Sequence, residues 1–267
     1  MIGHQSAGNI QGYGLGDIPV KGAVTAEINV IGPGVPLQGF IDHQYVDSQT
    51  MDKRPGMYIK YLPYRYDEVT GKLLSGGAYL FDTWENAKDY ARWTMEEFKV
   101  GDPKTPFWEQ PMFESSVRNM WKVIGACNFA PVGEHAVGRL QKFKLRGTDD
   151  AETVLRELYP KLASAAEGQG AASIWLLYSP EEKMVGVQQA FKKVDGNDEF
   201  AAKHSLAAVA AKPSMKHEFP AELEVKPVMD RSSIILTSWL PHSRNSGGVA
   251  RIIPFYPFVP AITNEED

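Results

Sequence analysis

Pro55-Gly-Met-Tyr-Ile-Lys-Tyr-Leu62, a turn-rich gap, and then Gly76-Gly-Ala-Tyr-Leu-Phe-Asp-Thr-Trp-Glu-Asn-Ala-Lys-Asp-Tyr90 form the stretch that decides the fold. It reads as strand, long hairpin, strand, and a helix opening straight off the second strand. A similar unit returns about 115 residues later, in Ala172–Tyr178, Met184–Phe191 and the helical Asp198–His204. The echo predicts one fold used twice, with a site in pockets framed by both copies. Tyr58, Ile59, Tyr61 and Leu62 are large on both parities, as in a strand buried on both faces.

Working outward, 23–31 alternates like a strand and 36–50 fits a first helix. Strands at 56–65 and 76–82, a helix at 84–98, a Pro-rich loop at 101–115 and a strand at 119–129 follow. That is the β-α-β-β-α-β order of a ferredoxin-like unit. The second half gives a strand at 138–145, a helix at 149–166, strands at 172–179 and 184–193, and a helix at 197–211. A loop at 212–228 then leads to strands at 232–240 and 249–258, joined by the polar connection 241–248, a candidate lid. The expected fold class is α+β, with two tandem ferredoxin-like repeats packed sheet on sheet. The boundaries are an N-terminal arm at 1–22, a first half at 23–135 and a second at 136–267.

The 267 residues carry 43% hydrophobic and 23% charged side chains, ordinary for a globular protein with ample core. A net charge of −5, with basic residues scattered, argues against nucleic acid or an anionic membrane as partner. No apolar signal segment or membrane span is evident, and the single Cys127 fits a reducing, cytoplasmic setting. Gly12-Tyr-Gly-Leu-Gly lacks the strand and helix that a phosphate loop needs.

Glu27-Ile-Asn-Val, Pro55-Gly-Met-Tyr-Ile-Lys, Gly76-Gly-Ala-Tyr-Leu-Phe and Ala87-Lys-Asp-Tyr together resemble the YdhR-type monooxygenase-like proteins of the dimeric α+β barrel superfamily. The match spans about 75 residues of the first half; the second half looks like a diverged copy. The resemblance implies a pocket between sheet and helices, often without metal or organic cofactor. It also implies a range of reactions: monooxygenation, cyclisation, isomerisation and, in haem-binding branches, peroxidase-like chemistry. Fold alone does not choose among them. The insertion at 101–115 and the long hairpin 65–75 depart from the single-domain pattern and point to a remodelled pocket.

His43 flanks the apolar stripe of the first helix, with Asp47 four residues on, a spacing that suits a general base and its orienting carboxylate. The bland alternative is a solvated surface pair. His204 is placed on the core-facing side of its helix with Phe200 and Ala207, Ala208 and Ala211, as acid–base group, haem ligand or satisfied core histidine. The aromatics Tyr58, Tyr61, Tyr64, Trp121, Trp175 and Tyr178 are core or pocket lining, with Tyr61 a candidate phenol donor. Lys60, costly to bury unpaired, is either solvated at a barrel end or a functional cation. His242 sits in the candidate lid. Trp93 falls opposite the expected apolar face (Trp84, Ala87, Ala91, Met95, Phe98) and suggests an interface, hence a homodimer unless one chain closes the barrel itself. Metal ligation lacks any His-x-His or His-Glu-x-x-His spacing.

The leading expectation is a cofactor-independent enzyme acting on a small aromatic or phenolic compound by acid–base chemistry. It would be either monooxygenase-like or a lyase (retro-aldol-type C–C cleavage) or isomerase. The alternatives are a haem-dependent enzyme with His204 as axial ligand and a non-catalytic binding protein for a hydrophobic small molecule.

Overall fold

The computed structural model describes residues 10, 12–31, 50–67, 70–101, 103–111, 113–147, 150–241 and 251–255. Eight long strands carry the molecule: β1 (Gly22–Ile31), β2 (Met57–Tyr66), β3 (Leu73–Phe81), β4 (Phe113–Asn128), β5 (Val137–Lys144), β6 (Ala171–Ser179), β7 (Met184–Phe191) and β8 (Lys226–Trp239). All pairings are antiparallel, in the order β4-β1-β3-β2-β8-β5-β7-β6, and β6 pairs back onto β4. The sheet is therefore a closed barrel. Residues 22–128 and 137–239 contribute four consecutive strands each, in the same relative order. Two seams join them: β2 to β8, with Lys60 opposite Trp239, and β4 to β6, with Lys122 opposite Tyr178.

Three helices among the described residues pack on the outside: α1 (Trp84–Glu96), α2 (Ala151–Gly168) and α3 (Glu199–Ala210). Thr83 caps α1 by accepting from the Asn86 N–H at 3.1 Å, and Asp198 caps α3 by accepting from the Ala201 N–H at 2.9 Å. With helices outside and side chains filling the inside, every strand has two apolar faces, so β3, β6 and β7 are buried at each position.

The Gly76-Gly-Ala-Tyr motif has a steric reason. A Cβ on Gly77 would lie 2.4 Å from the Tyr79 ring, so Gly77 lets that ring lie along the strand, while Gly76 admits the Ala26 carbonyl.

Several boundaries differ from the sequence reading. Strand β4 begins at Phe113 rather than at 119, after a 3-10 turn at Phe107–Glu109 inside the expected loop. Strand β8 begins at Lys226, and within the described part of the expected strand 249–258, residues 251–255, the strand is Arg251–Ile252, paired with β8. Two helix faces are rotated. Helix α1 buries Ala87, Tyr90 and Thr94 and leaves Met95 58% exposed. Trp93, expected at an interface, stacks on Phe98 at 4.4 Å with the Arg54 guanidinium over its ring. Helix α3 buries Ala201, Ala202, Ser205 and Val209 and turns Phe200 and His204 outward.

The N-terminal arm closes one end of the barrel. Ile10, Tyr13, Ile18 and Val20 join the inner apolar cluster, and a short strand at Gly16–Asp17 pairs with the end of β4. The Tyr13 hydroxyl donates to the Tyr58 carbonyl at 2.5 Å, and the Tyr58 hydroxyl donates to the Gly12 carbonyl at 2.6 Å.

Candidate functional site

Alternation along the strands sends Tyr61, Trp121 and Trp175 inward. Tyr61 stacks on Trp175 with ring centres 5.0 Å apart, and the Trp121 indole N–H donates to Thr25 Oγ1 at 2.9 Å. The Tyr61 hydroxyl is 2.6 Å from His135 Nδ1, and His135 Nε2 is 3.1 Å from the Ala130 carbonyl. Because a carbonyl only accepts, Nε2 carries the proton, Nδ1 accepts, and Tyr61 donates. Burial drives the His135 pKa down to about 4 and pushes the Tyr61 phenol far above its ordinary range, so both are neutral at pH 7. At the other end Lys142 donates to both Glu27 oxygens at 2.6 Å and to Asn119. One space inside, bordered by Glu27, Tyr61, Gln188 and Arg231, is about 40 Å³. That is the scale of a water molecule, far below an aromatic ligand. Tyr61, Trp121 and Trp175 are fully buried side chains of the barrel interior.

The outward residues of β2 and β3 make a different environment, between the sheet and α1. Lys60 is fully buried there, with its ammonium 3.5 Å from Met51 Sδ, 5.5 Å from the centre of the Tyr79 ring and 6.0 Å from that of Trp239. Of the two earlier readings of Lys60, solvation at a barrel end is ruled out. Tyr90 reaches in from α1, its hydroxyl 3.4 Å from the same Met51 sulfur and its ring 5.1 Å from Tyr79.

Asp52, in the turn before β2, completes the cluster. It is 3% exposed, and its Oδ1 has no hydrogen-bond partner among the described residues. Burial raises its pKa to about 7, against the opposing pull of the Lys60 charge. A carboxyl balanced near neutrality can both take and return a proton, the property a general acid–base group needs. The Lys60 cation can hold a developing oxyanion, and the Tyr79, Tyr90 and Trp239 rings offer flat apolar walls.

The remaining expected site residues lie apart. Tyr64 and Tyr178 are buried on outward faces, and burial raises both phenols. Tyr58 ties down the N-terminal arm. His204 is exposed and stacks on Phe200, which is 67% exposed, at 3.9 Å, which corrects its expected core-facing position. His204 thus lacks the enclosed setting of an axial haem ligand, and His135 has both ring nitrogens engaged; neither fits that role. His43, Asp47 and His242 fall outside the described residues. Among the described residues no group of three or more His, Cys, Asp or Glu is arranged to hold a metal, and no helix is long and apolar enough to cross a membrane. Cys127 is half-buried with its thiol pKa pushed up, chiefly by burial. Two residues escaped the sequence reading. Asp52 stands in a polar turn and gives no local signal, and His135 lies in the short connection between β4 and β5.

No protein-family model matches the chain, and no curated protein sequence matches it either. Among solved structures it is similar to a candidate monooxygenase from Lactobacillus acidophilus NCFM, at 10% identity and a TM-score of 0.48, over 88% of this chain and 97% of that one. A candidate monooxygenase from Fusobacterium nucleatum subsp. nucleatum gives 8% identity and 0.47, over 81% and 91%. An anthrone oxidase-like protein gives 13% and 0.46, over 90% and 97%. Likenesses this distant transfer no activity; the strand order and the buried groups carry the argument.

Proposed function

We propose that this chain is a cofactor-independent, monooxygenase-like enzyme that acts on a small aromatic or phenolic compound, with Asp52 and Lys60 at its centre, in an internally duplicated ferredoxin-like barrel. One observation carries the reading: a buried carboxyl whose pKa is raised to about 7 lies within electrostatic reach of Tyr90 and of a fully buried lysine flanked by Tyr79 and Trp239. In the reaction Asp52 takes a proton from a phenol or an activated C–H, and Lys60 stabilises the oxyanion that results. In the oxygenase branch the electron-rich carbanion reduces O₂ to a substrate hydroperoxide, which loses water to leave a carbonyl. In the lyase branch Asp52 instead takes the proton of a β-hydroxyl, and the C–C bond breaks to release an aldehyde and leave the stabilised carbanion, which is then protonated. Asp47 lies five residues before Asp52 in sequence and His242 three after Trp239, so both undescribed segments adjoin this cluster along the chain.

The test is a panel of phenolic substrates incubated with and without oxygen, for the parent protein and for Asp52→Asn and Lys60→Met. Turnover that falls about 10²-fold or more in Asp52→Asn is expected, the usual contribution of a positioned acid–base group. Oxygen consumption matched to turnover identifies the oxygenase, and undiminished anaerobic turnover identifies the lyase or isomerase. Turnover equal to that of the parent in both variants would sink the assignment of the site.

A further inference from the structure

A second cavity lies outside the barrel, between α1, the exposed end of β4 and the β6–β7 turn. Its volume is about 410 Å³, within the range of small-molecule sites. Trp84 and Met95 of α1, Trp108 of the 3-10 turn and Met120 of β4 supply its apolar surface. It shares no residue with the Asp52–Lys60 cluster, so the inference stands independently of the proposed reaction.

The charges around this cleft are largely matched within the chain. Lys88 pairs with Glu85 and covers the Trp84 ring at 5.8 Å. Arg92 is held by Asp89, Glu96 and Glu97. Glu182 accepts from the Asn119 amide at 2.9 and 2.8 Å, and Glu181 is exposed on the turn. Arg118 is different. Its guanidinium lies 4.9 Å from the centre of the Trp108 ring, and no carboxylate among the described residues pairs with it. The indole fixes the planar fork in place without using its donors.

We infer that this cleft binds an aryl carboxylate, with the flat ring system against Trp108, Met95 and Met120 and the carboxylate on the Arg118 fork. Both indoles already carry a cation of the chain, Lys88 on Trp84 and Arg118 on Trp108, so a cationic aromatic would have to displace one of them. An anionic aromatic meets a pre-oriented bidentate donor.

Isothermal titration of the full chain with 2-naphthoate tests this. Saturable binding is expected, and Arg118→Gln, an exposed substitution, should weaken one bound naphthoate per chain about tenfold, the factor carried by a charge-assisted hydrogen bond. Arg118→Lys keeps the charge without the fork and should fall between the two. Lys60→Met should leave this binding event unchanged. Absence of saturable binding, equal affinity in Arg118→Gln, or loss in Lys60→Met with retention in Arg118→Gln each overturns the inference.

Discussion

On the helix-covered face of the second half, Arg139 is buried and nearly all its donors are engaged. Its Nε and one terminal nitrogen donate to the two Asp230 oxygens at 2.8 and 2.7 Å, and the other terminal nitrogen donates to the Lys212 and Pro213 carbonyls at 2.8 and 3.2 Å. Gln141 extends the network to Asp230 and Ser214, and its side-chain oxygen accepts from the Met215 N–H at 3.1 Å. Nearby, both amide atoms of Gln189 and the Gln169 Oε1 have no partner among the described residues. On the corresponding face of the first half, Lys60 rests against a thioether and aromatic rings, and Asp52 keeps an oxygen without a described hydrogen bond. The same strand order thus supports two uses of buried charge. One pins the chain after α3 to the sheet. The other encloses a carboxyl and a lysine beside a thioether and aromatic rings, where burial raises the carboxyl pKa.

Substitution of Arg139 gives the largest expected effect on folding. Arg139→Met removes the charged donor of Asp230, which keeps the Gln141 amide, and the donor of the Lys212 and Pro213 carbonyls; it should cost roughly 3 kcal/mol, the lower end for a broken buried pair because Asp230 keeps partial solvent access. Urea midpoints measure it. Turnover per folded molecule should survive, whereas Lys60→Met should lose turnover first. A reversal of that pattern would collapse the contrast between the faces.

The next effect is one of pH. Asp52 has a folded pKa of about 7 against 3.8, so the folded state holds more protons between those values, and its contribution falls as pH rises from about 4 to about 7. His135 has a folded pKa of about 4 against 6.5. The unfolded state then holds more protons, and stability falls as pH drops from about 6.5 to about 4. The two slopes oppose each other in the parent protein. Asp52→Asn should expose the His135 slope, with stability rising from pH 4 to pH 6.5, and His135→Gln should expose the opposite one. Parallel profiles for the two variants in urea melts would refute both assignments.

The smallest effect tests the arm. Tyr58→Phe removes the hydrogen bond to the Gly12 carbonyl and should cost about 1 kcal/mol. Amide hydrogen exchange should quicken selectively in residues 10–20 and leave the Asp52–Lys60 region protected.

The strands were readable because a barrel between helices and its own packed interior demands apolar residues on both faces, which Tyr58–Leu62 and Gly76–Phe81 display. The helix faces were less so. In α3 eight of the twelve positions are Ala or apolar and they lie on several faces, so the stripe through Phe200 and His204 fits the wheel as well as the one through Ala201, Ser205 and Val209. Close approach to the sheet selects the small residues, and the bulky ones turn to solvent. Lys60 within an apolar strand did signal that something unusual lay nearby. Asp52 carried no such mark, because its burial arises from tertiary packing around a turn that is polar in sequence.

The seam that sets Lys60 against Trp239 also carries a kinetic consequence. These two residues are separated by most of the chain, and loop closure over that span opposes pairing until both halves are formed. During synthesis, β2 has no β8 to pair with until residue 239 has emerged, and it stands as an open sheet edge. The Asp52–Lys60 cluster, whose lysine lies beside Trp239, is therefore among the last features of the molecule to be completed. A nascent or truncated chain that stops short of β8 has the lysine and the carboxyl but not the enclosure that tunes them.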